Sequence, residues 1–112
     1  MGRDKVVNIV AIDCMPEVEQ KFIHWYDDIH IPLLMKFKGL IGVKRYKLTG
    51  GGAYPRHLGI YEFENQAAFD AYEKSPELAT AKAESNETWK QDRFEVKWRA
   101  QYEFLRSWVR ED

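Results

Sequence analysis

The chain has 112 residues and a mass of 13.3 kDa, which fits one domain and excludes a comfortable second. Hydrophobic residues at 45% and charged residues at 31% describe a folded globular chain, so disordered and low-complexity classes are out. Seventeen Lys and Arg against eighteen Asp and Glu leave a formal charge of −1, without the basic excess that nucleic-acid binding needs.

Residues 1–112 therefore read as one domain. The opening Met-Gly-Arg-Asp-Lys-Val carries no apolar leader, and Val6 stands where a myristoylation signal has Ser or Thr. From Lys5 to Met15 the chain is dense in Val and Ile, which predicts a strand apolar on both faces. Its one cysteine, Cys14, cannot close an internal disulfide and reads as a small core residue. Pro16 and Glu17 open a helix, because proline suits the first turn and an acid there suits the dipole. Val18, Phe22, Trp25 and Ile29 follow at helical spacing, and Pro32 is expected to end or kink the helix. His30 then falls in its last turn.

Gly39 marks a turn, and Leu40 to Leu48 predicts the second strand. Thr49 to Pro55, with Gly50-Gly51-Gly52, is a flexible hairpin loop and lacks the Gly-Lys-Ser/Thr of a phosphate loop. A third strand runs from about Arg56 to Phe63. Asn65 caps a helix carrying Phe69 and Tyr72, and Ser75-Pro76-Glu77 restarts a helical stretch to about Lys90. In the last strand Phe94, Val96, Trp98, Ala100, Tyr102 and Phe104 alternate with polar residues, which predicts one continuous apolar face. The order β-α-β-β-α-β gives an α+β, ferredoxin-like unit: a four-stranded antiparallel sheet with the helices on one face. The other face stays open, and a second copy is the economical cover. No apolar run nears the roughly 20 residues that span a bilayer. A soluble cytoplasmic homodimer, with no membrane or nucleic-acid partner, is the expectation.

Trp25-Tyr26-Asp27-Asp28-Ile29-His30-Ile31-Pro32, then Lys38-Gly39-Leu40 and Val43-Lys44-Arg45-Tyr46, resembles the EthD-like family of the dimeric α/β-barrel superfamily. His30-Ile31-Pro32, Gly39 and Arg45-Tyr46 match its pattern, while Lys38 stands where the family has Pro. The resemblance implies a dimeric α/β barrel. It does not fix a reaction, because the superfamily hosts monooxygenases, isomerases, decarboxylases and polyketide cyclases. Its haem-binding branches carry an axial histidine in the second half of the chain, where this sequence has none beyond His57.

His30 and Tyr26 share a strip beside the apolar stripe, one helical turn apart, and so can reach one ligand atom. A histidine base with a hydroxyl partner is what proton transfer requires, and Asp27 or Asp28 would set the ring's charge. The alternative is that His30 merely caps a helix C-terminus. His24 lies across the helix, and His57 reads as a surface residue at a strand edge that could reach a barrel mouth. Arg45, Lys97 and Arg99 are strand cations that read as a solvated face or cross-strand pairs. If the open sheet face forms a dimer-enclosed cavity, one of them, Arg45 first, could bind a carboxylate or an enolate. Tyr61 and Trp89 read as core or cavity wall, and Tyr54 as a ligand contact from the glycine loop. No His-x-x-x-His or Cys-x-x-Cys spacing occurs, so neither a metal nor another cofactor is expected. The function reading is a small cofactor-independent enzyme. It would act on a hydrophobic, aromatic or polyketide-like carbonyl compound by acid–base chemistry, as a cyclase, decarboxylase, isomerase or monooxygenase. The alternative is a non-catalytic binding or accessory dimer.

Overall fold

A computed structural model of the chain describes residues 5–90 and 94–111; the opening Met1–Asp4, read above for a leader, lies outside them. Four strands form one antiparallel sheet: β1 (Val6–Cys14), β2 (Leu40–Lys47), β3 (His57–Phe63) and β4 (Phe94–Glu103). Their order across the sheet is β2-β3-β1-β4, so the Val- and Ile-rich β1 is central, as its two apolar faces require. The register sets Val10 opposite Gly59 and Ile12 opposite His57.

Helices cover one face. A turn of 3-10 helix, Pro16–Val18, leads into α1 (Glu19–Trp25), a π-helical turn over Tyr26–His30, and α2 (Ile31–Leu34) without a break in the helical path. Two further helices are α3 (Gln66–Glu73) and α4 (Pro76–Thr88). Both start on the expected caps: Asn65 Oδ1 accepts from the Ala68 N–H at 2.8 Å, and Ser75 Oγ from the Leu78 N–H at 3.1 Å. The core between layers joins Val10 and Ile12 of β1 to Phe22, Trp25, Leu34, Phe69 and Tyr72 from the helices. In the loop before β3, Gly50 and Gly52 hold φ of +73° and +115°, conformations that side chains resist. Among the described residues no helix is long and apolar enough to cross a membrane.

Two segments depart from regular geometry. Pro32 does not end the helix; it sits inside α2, because the preceding π turn absorbs the disruption that a proline causes. In β4 the alternation also breaks. Val96 lies opposite Ile12 but Trp98 opposite Ala11, so Lys97 is the extra residue of a β-bulge. Phe94 and Val96 therefore pack inward, while Trp98, Ala100 and Tyr102 share the outer face with Ala11, Ile9 and Val7.

Candidate functional site

The π turn builds the site. The Ile31 N–H bonds to the Tyr26 carbonyl, five residues back, so one extra residue is wound into the helix. Each residue turns a helix by about 100°, so everything after the turn is rotated by that amount. Ile29, expected in the core stripe, is 44% exposed, and His30 takes the inward position instead. Tyr26 is buried with Phe22 and Trp25 rather than lying at the flank of the stripe.

Beneath this helix lies a cavity of about 450 Å³, within the range of small-molecule sites. Its walls are Val10 and Ile12 of β1, Phe94 and Val96 of β4, and Trp25 from α1. Its other half is polar, with His30 and Tyr26, Tyr61 and Tyr72 joined by Asn8, Ser85 and Gln101. Lys82, Glu73 and Arg99 also line it.

His30 is held by its neighbours' faces. Its ring stacks on the Trp25 indole, centroids 4.7 Å apart and planes 25° from parallel, and lies 5.0 Å from the Tyr26 ring. The Trp25 Nε1–H donates to Glu84 Oε1 at 2.8 Å, which fixes the indole. Burial pushes the His30 pKa down to about 4, opposed by the negative charge of Glu84. At neutral pH the imidazole is uncharged. Its Nδ1 is buried with no hydrogen-bond partner among the described residues, so no protein group dictates the tautomer.

Tyr26 and Tyr61 form a buried phenol pair, their hydroxyls hydrogen-bonded to one another. Burial raises the pKa of both phenols; their shared hydrogen bond works against that rise at Tyr26 and with it at Tyr61. Either hydroxyl can donate within the pair, which leaves the other's proton for a ligand. Gly59 makes room for the pair: a Cβ there would stand 3.0 Å from the Tyr61 ring and 3.5 Å from the Tyr26 oxygen. The Arg45 guanidinium lies 4.4 Å from the centre of the Tyr26 ring, a cation–π contact that also opposes any rise in the phenol pKa.

The remaining candidates are dispersed. Asp27 is paired with Arg45, Nε to Oδ1 at 2.9 Å, so the carboxylate acting on His30 is Glu84 of α4. Trp89 packs edge-on behind Trp25 and Phe94, and Tyr54 projects from the glycine loop, 70% exposed. His57 is no surface residue. It is 2% exposed, its Nε2 lies 2.8 Å from Glu19 Oε2, and its ring is 5.2 Å from that of Phe22. Around it Cys14, Glu19 and His57 bring their ligand atoms within 4.8 Å of one another. Three elements supply these residues, and no spacing motif could have signalled the cluster. Arg99, expected on the open face, lies on the other: strict alternation puts it on the face away from Val96, and the bulge at Lys97 returns it to the inner face.

A family fits this chain: residues 5–105 match the domain of unknown function DUF4286, and the chain belongs to that family. No curated protein sequence matches it. Among solved structures it is similar to HapK from Hahella chejuensis, at a TM-score of 0.70 and 15% identity, covering 96% of this chain and 99% of that one. An EthD family protein from Bacillus halodurans superposes at 0.63 with 20% identity, over 89% of this chain and 99% of that one. A dimeric ferredoxin-like protein from an uncultured marine organism gives 0.60 at 14% identity, over 93% and 98%. The fold is thus ferredoxin-like, in agreement with the EthD-like resemblance read from the His30-Ile31-Pro32 segment.

Proposed function

We propose that the chain is a cofactor-independent enzyme that moves a proton on a hydrophobic, carbonyl-bearing small molecule held in the 450 Å³ cavity. The observation that carries this reading is an uncharged His30 lining a cavity beside the Tyr26–Tyr61 phenol pair. His30 takes the proton from a carbon next to the substrate carbonyl. The C–H electron pair becomes the enolate double bond, and the carbonyl pair moves onto oxygen, where the Tyr26 O–H donates. A ring with a pKa near 4 is a weak base in the empty site. The negative charge that develops on the enolate, together with Glu84, raises its proton affinity as the reaction proceeds. The proton then returns at another carbon, which makes the class isomerase- or cyclase-like. Trp25, Phe94 and Val96 suit the flat apolar part of an aromatic or polyketide-like substrate, and Lys82, Arg99 and Gln101 suit its oxygen substituents.

The same proposal includes a homodimer through the outer sheet face. Tyr46, Trp98 and Tyr102 are each 44–54% exposed there, an apolar area that a second copy would cover. A ferredoxin-like neighbour described as dimeric supports a two-copy assembly.

Deuterium exchange at the acidic carbon of a panel of aryl 1,3-dicarbonyl compounds tests the chemistry. The wild-type chain should accelerate exchange of at least one compound, and His30→Ala should remove roughly 10²–10⁴ of that acceleration with folding intact. Full exchange by a folded His30→Ala protein would overturn the assignment.

A further inference from the structure

We propose that Cys14, Glu19 and His57 form a binding site for one thiophilic divalent cation of the zinc class. The cation would be held by a thiolate, a carboxylate and an imidazole, with water in the fourth position. These are the three protein donor types that zinc accepts, and three ligands with one open position is a recurrent zinc arrangement. Their ligand atoms already lie within 4.8 Å of one another. The backbone fixes that convergence. Cys14 ends β1 opposite Phe94, His57 starts β3 opposite Ile12, and Glu19 is the first residue of α1.

The cluster already holds a cation. Arg56 donates from Nε to Glu19 Oε2 at 2.9 Å and from Nη2 to Oε1 at 3.3 Å. That side chain is 41% exposed, so it can swing into solvent while its backbone N–H stays on Asp13 Oδ1 at 2.8 Å. His57 cannot leave so readily. It is 2% exposed against Phe22, and its Nε2 already points at Glu19. When the cation enters, the Cys14 thiol gives its proton to solvent, the His57 Nε2 proton moves to Nδ1 by exchange with water, and the sulfur and Nε2 lone pairs bind the metal. One thiolate and one carboxylate then neutralise the two positive charges, and Arg56 is released. The site is separate from the cavity chemistry, because the Phe22 ring stands between His57 and Tyr26, 5.2 and 5.3 Å from each.

Titrating the chelator-stripped full chain with Co²⁺ and then Zn²⁺ tests the site. The expected result is one Co²⁺ per chain, with a thiolate-to-cobalt charge-transfer band in the near ultraviolet that Zn²⁺ abolishes by displacement. Cys14→Ser should lose the band and saturable binding, and His57→Gln should weaken binding. Arg56→Gln should tighten binding about tenfold, because it removes the competing cation. His30→Ala should bind Co²⁺ like the wild type, which keeps this site independent of the proposed proton transfer. No saturable binding of either metal at about 100 μM would overturn the proposal. So would a band that survives in Cys14→Ser, or an Arg56→Gln protein that binds no tighter. If His57→Gln does not fold, the variants at the partly exposed Cys14 and Arg56 decide the question.

Discussion

The Trp25 indole and the His30 imidazole lie face to face, 4.7 Å apart, and the same indole is pinned through its N–H to Glu84. His30 is therefore oriented by a ring surface and not by a hydrogen bond. Trp25 thus supports both the core and the proposed base. Trp25→Ala should cost about 3–5 kcal/mol, the usual range for a large buried aromatic. Thermal or urea melts check this. An unchanged midpoint would mean that the indole is not the support described.

Acid should destabilise the fold through His30. Its folded pKa lies near 4, below the ordinary 6.5, so above 6.5 neither folded nor unfolded chain takes the proton and nothing is lost. Between 6.5 and about 4 the unfolded chain binds a proton that the folded chain refuses, and stability falls as pH drops. The shift corresponds to roughly 3 kcal/mol by pH 4. His57 is displaced in the same direction and adds to the slope. Urea melts from pH 7.5 to 4 should show a shallower pH slope in His30→Phe than in the wild type. Parallel slopes would rule out a buried neutral imidazole.

The two phenols should behave as a unit. Tyr61→Phe and Tyr26→Phe each remove one hydroxyl of the pair. Each leaves a buried polar atom unpaired at a cost of about 1–3 kcal/mol. The double variant leaves neither unpaired and should cost less than the sum of the singles. Strict additivity in a double-mutant cycle would contradict the pairing.

Asp27 and Glu84 should separate cleanly. Asp27→Asn breaks the pair with Arg45, whose Asp27 partner is half exposed, and should cost under about 1 kcal/mol without moving the His30 titration. Glu84→Gln removes the charge that favours the imidazolium and should lower the His30 pKa further. Imidazole carbon chemical shifts followed by NMR against pH distinguish the two.

Light scattering tests the outer face. At micromolar concentration the wild-type chain should show twice its 13.3 kDa, and Trp98→Glu should shift it toward one. A monomeric wild type would refute the sheet-to-sheet dimer.

Element order, both α3 and α4 caps and the glycine loop were legible in the sequence, because each rests on local chemistry: Asn65 and Ser75 as acceptors, and alternation or clustering of apolar residues. Non-local events were not legible. The period of the first helix was read correctly up to Trp25. Beyond it, one residue absorbed by the π turn put His30 where Ile29 was expected. His57 looked like a strand-edge surface residue because nothing near it in sequence announces Glu19, 38 residues earlier. Glu84 could not be found as the partner of Trp25 until α4 was seen to pack against the first helix.

The extra residue at Lys97 makes β4 a strand with two different halves. Before it, odd and even positions mean one thing for the cavity; after it, they mean the opposite. Pairing the same residues without the bulge, with Lys97 opposite Ala11, would exchange the faces of everything downstream, moving Trp98, Ala100 and Tyr102 inward and sending Arg99 and Gln101 out. Among homologues, a chain lacking the bulged residue would keep these faces, whereas one of equal length that pairs without the bulge would carry a frameshift in side-chain orientation. It would trade a cation-lined chamber with an adhesive outer surface for an aromatic-filled interior with a charged one, while every strand and helix stayed in place.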